Sequence, residues 1–192
     1  MRTVSSFLTA VVVAVSLAAG PAAAANGTRE VGSATYEVRP DGSVTATIEV
    51  SVTNTTTDRV EGNSILRRYV TGIPVPVAAE AANAVATSGG TRLGVTIERR
   101  NEFVSVAVVS FPNLFAGQTR TFTLRYDIVG AAPRSDSFER ANAAYALFVA
   151  FAVGDPGSST VTVTVPGTNT SEVVGSPFRR TTADGIATFT AM

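Results

Sequence analysis

The stretch Val44-Thr45-Ala46-Thr47-Ile48-Glu49-Val50-Ser51-Val52 decides the fold class. Every even position is apolar and every odd position is polar. Side chains on an extended chain point alternately to opposite faces, so this pattern predicts a strand with one face buried and one in water. Residues 121–128 repeat it, with Phe122, Leu124, Tyr126 and Ile128 facing inward and Thr121, Thr123, Arg125 and Asp127 outward. Leu93, Val95 and Ile97 follow the same rule, as do Val161, Val163 and Val165 and, more briefly, Ala34, Tyr36 and Val38. A one-residue slip would turn each apolar set to water, so the pattern also fixes the pairing register. Val (28) and Thr (26) dominate the chain. Both are β-branched and stiff at χ1, which suits a pleated surface.

Turn chemistry separates these runs. Pro40-Asp41-Gly42 predicts a hairpin between strands at 33–39 and 43–53. Ser88-Gly89-Gly90 leads into 92–99, and Arg100-Asn101 joins that strand to 103–110. Asp184-Gly185 marks a last hairpin between 177–182 and 186–191. In Ile73-Pro74-Val75-Pro76 the prolines cannot donate to a ladder, which places this extended segment at a sheet edge. Many strands at short spacing without a long amphipathic helix predict an all-β fold, an antiparallel β-sandwich.

One segment breaks the alternation. From Ala143 to Val153 every residue is apolar or Tyr. Tyr145, Leu147, Val149, Phe151 and Val153 are large, whereas Ala144, Ala146, Ala150 and Ala152 are small. Phe148 is the exception. Size alternating at period two points to a strand covered on both faces, with an Ala-rich buried helix starting near Ser135 or Ser137 as the rival. With the polar loop 130–142 before it, this strand is the expected contact surface for another domain.

Composition excludes much chemistry. The chain has no His, Cys or Trp, and its fifteen cations are all Arg. Nucleophilic triads, Cys–His pairs, Schiff-base or P-loop Lys and the usual zinc ligands are therefore out of reach. No disulfide can form. Fifteen cations balance fifteen acids, and no basic block points to nucleic acid. No cofactor is expected. Residues 1–25 read as a signal peptide: Arg2, an apolar core from Phe7 to Ala19, a Gly20-Pro21 break and Ala22-Ala23-Ala24-Ala25 for cleavage. The apolar core is too short for a stable membrane anchor, which takes about 20 residues. The expectation is a secreted or cell-envelope protein whose β-sandwich occupies 26–192.

Six residues form a candidate interaction surface: Arg134, Arg140, Asn142, Tyr145, Phe148 and Asp155. Arg134 and Arg140 could grip a carboxylate or an acidic partner, or simply pair with Asp136 and Glu139. Asp155 lies in Gly154-Asp155-Pro156-Gly157, which reads as a tight turn. Asp136, Glu139 and Asp155 offer oxygen ligands for calcium, but without EF-hand or RTX spacing. A carboxylate pair could run glycoside hydrolysis without His, and most of the acids fall in turns or on outward strand faces. Asn26-Gly27-Thr28, Asn54-Thr55-Thr56 and Asn169-Thr170-Ser171 match the glycosylation pattern.

Tyr36-Glu37-Val38, Asp41-Gly42-Ser43 and Val52-Thr53-Asn54-Thr55-Thr56 resemble the opening of a family of secreted bacterial proteins, mostly from high-GC lineages. Gly117-Gln118-Thr119-Arg120, Ala132-Pro133-Arg134-Ser135, Arg140-Ala141-Asn142 and Gly154-Asp155-Pro156-Gly157 fit it too. In that family an N-terminal β-domain precedes a transglutaminase-like or gluzincin-type metallopeptidase-like module. Over residues 30–180 the resemblance implies a non-catalytic region in front of a catalytic one. No catalytic residue transfers, because those modules need Cys or His. The chain stops inside or just after the alternating segment Thr188-Phe189-Thr190-Ala191-Met192, which adds the expectation of a longer open reading frame. Two alternatives stand beside this reading: a module that binds cell-wall polysaccharide or a surface ligand, and a carboxylate-pair hydrolase.

Overall fold

Alternation does what it predicts. In the computed structural model of the chain, Val44–Asn54 and Thr119–Ile128 pair antiparallel, with Val50 opposite Phe122, Ile48 opposite Leu124 and Ala46 opposite Tyr126. All six side chains are buried, while Glu49 and Arg125 face solvent. The structure describes residues 11–14, 27–129, 139–141, 146–166, 172–175 and 178–191.

In chain order the strands are β1 (Val11–Ala14), β2 (Thr28–Val38), β3 (Val44–Asn54), β4 (Arg59–Glu61), β5 (Ser64–Leu66), β6 (Tyr69–Ala78), β7 (Ala81–Ser88) and β8 (Thr91–Arg99). They continue with β9 (Val104–Phe115), β10 (Thr119–Ile128), β11 (Arg140–Ala141), β12 (Ala146–Leu147), β13 (Ser159–Pro166), β14 (Glu172–Gly175), β15 (Arg179–Ala183) and β16 (Ile186–Ala191). Ten of them form one continuous sheet in the order β15-β16-β13-β2-β3-β10-β7-β8-β9-β6. It turns over at β8. Residues 91–93 pair with β7, whereas residues 94–99 pair with β9. The change of partner between Leu93 and Gly94 brings β9 and β6 back over the inner face, giving a sandwich-like arrangement with a shared corner strand. Contacts between strands that are not sheet neighbours show the closure. Phe111 of β9 lies 6.4 Å from Phe122 of β10, and the Ala78 N–H of β6 reaches the Tyr126 hydroxyl at 3.5 Å.

Register lines the core up in rows. One row crosses seven strands as Leu93, Ala86, Leu124, Ile48, Ala34, Val161 and Ala191. The next holds Tyr126, Ala46, Tyr36, Val163 and Phe189. Neighbouring large and small side chains interdigitate along each row. Most pairs are antiparallel, as expected. The exception within the large sheet is β13, which runs parallel to β2, a pairing that needs the long connection separating them.

The hairpins form where the turn residues predict them. Gly42 has φ +84° and donates its N–H to the Arg39 carbonyl. Gly89 and Gly90 both have positive φ, as do Asp184 and Gly185, which matches the twist of two-residue hairpins. In the β8–β9 turn Asn101 Oδ1 accepts the N–H groups of Phe103 and Val104. The proline segment of β6 is indeed the outermost strand of the large sheet, where its missing donors blunt an edge. β1 pairs in parallel with β14; a chain cleaved near Ala25 lacks that pair.

The apolar run departs from expectation. Among the run's described residues, 146–153, Ala146–Leu147 alone is strand, paired with Arg140–Ala141. From Phe148 to Val153 the chain is irregular, apart from a single bridge at Val149, yet all but the half-buried Ala152 are buried. Burial on both sides was legible; the strand was not. The Phe151 N–H donates to the Tyr36 hydroxyl at 2.9 Å, and the Val153 carbonyl accepts the Ser159 hydroxyl at 3.0 Å. Side chains thus satisfy backbone groups that a strand would have paired in a ladder. The segment lies against the inner face around Tyr36, so it plugs this domain's own core.

Candidate functional site

The most chemically loaded place in the molecule is under that plug. Glu139 is fully buried. Its Oε2 accepts the Glu80 N–H at 2.7 Å, and the carboxylate also takes the N–H groups of Val149 and Ala79. Ala79 and Glu80 form the turn between β6 and β7, which the Ser105 hydroxyl steadies from β9 by donating to the Ala79 carbonyl at 3.2 Å. One carboxylate therefore joins this turn to the plug. Burial pushes the Glu139 carboxyl up to about 7. The three N–H donors oppose that rise, and the nearby Glu80 charge adds to it.

Beside it lie two buried phenols. The Tyr126 hydroxyl is 3.4 Å from that of Tyr36. Burial raises Tyr36 to about 12 and Tyr126 well above the ordinary phenol value, so both stay protonated at neutral pH. A carboxyl titrating near 7 next to phenols is what acid–base chemistry uses. Here, however, Glu139, Tyr36 and Tyr126 all have no exposed surface, and their partners belong to the protein itself. The arrangement ties secondary-structure elements together.

A second pair of acids meets at the start of β13. The Glu30 N–H donates to Asp155 Oδ2 at 3.0 Å, and the Asp155 N–H returns to the Glu30 carbonyl at 2.9 Å. Burial raises the Glu30 carboxyl, the Thr28 hydroxyl lowers it, and the Asp155 charge raises it again. Asp155 also accepts the Ser158 N–H on its carbonyl, so Gly154–Gly157 is the tight turn that the residues predicted. It steers β13 alongside β2. Gly32 makes that approach possible, because a Cβ there would collide with the Val153 carbonyl oxygen.

Of the six candidate surface residues, Phe148 and Asp155 are fully described. Arg134, Asn142 and Tyr145 lie outside the described residues, and Arg140 is placed only as a member of β11. Phe148 is no contact residue: it is fully buried, 5.5 Å from the Tyr36 ring. Asp155 is a turn residue. Of the acids considered for calcium, Asp136 lies outside the described residues, while Glu139 and Asp155 serve separate structural contacts. Among the described residues no group of His, Cys, Asp and Glu could hold a metal ion.

Asn54, one of the matches to the glycosylation pattern, is buried. Its amide donates to the Leu114 carbonyl at 2.8 Å, and its Oδ1 accepts the Thr56 N–H and hydroxyl at 2.9 and 2.7 Å. Asn26 and Asn169 lie outside the described residues. On the outer face a shallow groove of about 340 Å³ is lined by Ser33, Glu49, Ser51, Thr121, Ser158 and Thr160 among others, none of them aromatic. The sequence offered Glu139 as a loop ion-pair partner or a calcium oxygen ligand, not as a buried pin.

Neither a protein-family model nor a curated protein matches the sequence. Among solved structures, an M1 zinc metallopeptidase from Deinococcus radiodurans aligns at 15% identity over 85% of this chain, with a TM-score of 0.40. Leukotriene A4 hydrolase from Saccharomyces cerevisiae aligns at 11% identity over 86% of this chain, with a TM-score of 0.44. The chain spans 38% of the length of the first and 27% of the second.

Proposed function

We propose that this chain is a non-catalytic β-domain of a larger exported protein and that it packs against, and orients, a further domain. The observation that carries this reading is how its side chains are divided. Polar groups capable of chemistry, namely Glu139, Tyr36 and Tyr126, are buried and bound to the domain's own backbone. Large apolar side chains face water instead between residues 60 and 69. A scaffold presents such a surface, whereas an enzyme directs its polar groups into an accessible cleft. Export through the 1–25 segment, and a catalytic module following this domain, belong to the same proposal. They are motivated by the tripartite start of the chain and by the family resemblance of its turn motifs.

The test is purification of residues 26–192. This reading expects the isolated domain to bind an apolar dye such as ANS and to self-associate, because its packing surface is uncovered. A monomer that binds no dye would count against it. Turnover of a glycoside or peptide by that fragment would replace it with a hydrolase reading.

A further inference from the structure

Fully buried Asn54 ends β3, and its side chain does more than fill space. Besides the Leu114 carbonyl and Thr56, its amide reaches the Arg68 carbonyl at 3.5 Å. Thr56 is where the chain leaves the sheet and Arg68 is where it returns. One amide thus holds both feet of an excursion, and Asp58 Oδ1 adds a bond to the Arg68 N–H at 3.1 Å. Between the feet stands the β4–β5 hairpin, with Val60 opposite Ile65 and Arg59 opposite Leu66. Every residue from 57 to 69 is exposed. Val60 is 70% exposed, Ile65 62%, Leu66 55% and Tyr69 54%. A two-stranded hairpin with neither face covered is marginal by itself. This one is clamped at its base, which pre-orders an apolar surface for contact.

Charge narrows what the arm can contact. Glu61 is engaged by Arg59 at 2.9 Å, and Asp58 by the Arg68 backbone. Among the described residues neither the Arg67 nor the Arg68 guanidinium has a carboxylate partner. Arg forks beside apolar side chains match carboxylates edging an apolar face. A bilayer fits less well. Its hairpins insert apolar tips, whereas this tip is Glu61-Gly62-Asn63-Ser64 and the apolar residues sit on the shaft.

We infer that the β4–β5 arm is the docking surface for the further domain, and that the face it meets is apolar and edged by carboxylates. This rests on the function proposed above. The test uses the complete product of the gene in its own cells, with a photo-reactive benzoyl-phenylalanine replacing Ile65, or Thr181 at the opposite end of the sheet as a control. Expected is one crosslinked peptide from position 65 only, rich in Asp or Glu and lying in a second domain. The yield should fall at least tenfold when Arg67→Glu and Arg68→Glu are combined. A crosslink to a second copy of this chain or to lipid, or a yield indifferent to charge reversal, overturns the inference. So does a second domain that protects this one from protease while position 65 stays uncrosslinked, and that result leaves the proposed function standing. A gene product with no second domain packed on this one overturns both.

Discussion

Replacing Glu139 by Gln tests the buried pin directly, because it removes the charge and nearly keeps the shape. The Glu139 carboxyl is pushed from 4.5 up to about 7 in the folded chain. A raised folded value means that the native state holds the proton more tightly than the unfolded state. The stabilisation is therefore fully present below about pH 4.5 and is lost as pH rises through about 7. At about 1.4 kcal/mol for each pH unit of displacement, the loss is about 3 kcal/mol. Urea unfolding of residues 26–192 from pH 4 to pH 8 measures it. The two proteins differ only at position 139, so the difference between their profiles reports the loss of that carboxyl. The wild-type midpoint should fall relative to Glu139→Gln between pH 4.5 and 7.5, and the two curves should run parallel outside that window. Parallel curves throughout, or a wild type gaining on the variant as pH rises, would refute the assignment of desolvation as the dominant force on this carboxyl.

Other expectations follow from single contacts. Asn54→Ala leaves the Leu114 carbonyl and the Thr56 N–H without their partner and should cost about 2–3 kcal/mol in urea unfolding; the wild-type residue should stay unglycosylated in a glycosylating host, read by mass spectrometry. Gly32→Ala drives a methyl group into the Val153 carbonyl and should destabilise by about 1–3 kcal/mol, with calorimetry as the check. Val60→Ser combined with Ile65→Ser should leave stability within about 0.5 kcal/mol, because neither side chain is buried, yet it should lower ANS fluorescence. An unchanged signal would place the sticky surface elsewhere.

How far the sequence could be read depended on whether its signal was local. Tyr36, Ile48 and Leu124 announced their facing by alternation, and Pro74 and Pro76 announced an edge through their missing donors. The run from Ala143 to Val153 announced burial but not shape, since a segment covered on all sides carries no polar face to set a period. Its conformation comes from the Tyr36 hydroxyl and Ser159, residues far apart in sequence that trap its backbone groups. Glu139 carried no mark distinguishing a solvated acid from a pinned one, because its partners are backbone N–H groups, which every residue has. Asn54 matched a modification pattern, although the carbonyl it binds lies 60 residues away.

The sequence by itself determined the alternating strands, their inward faces, the hairpins marked by Gly42, Gly89-Gly90, Asn101 and Asp184-Gly185, and the absence of His, Cys and Lys chemistry. All of these follow from residue type and spacing over a few positions. Tertiary structure alone decided that β13 joins β2 in parallel, that β8 turns the sheet over on itself, that the apolar run is a plug, and that an exposed apolar surface lies on the β4–β5 arm. Those outcomes depend on which distant groups satisfy one another's hydrogen bonds and cover one another's apolar area, a competition settled only when the whole chain is packed.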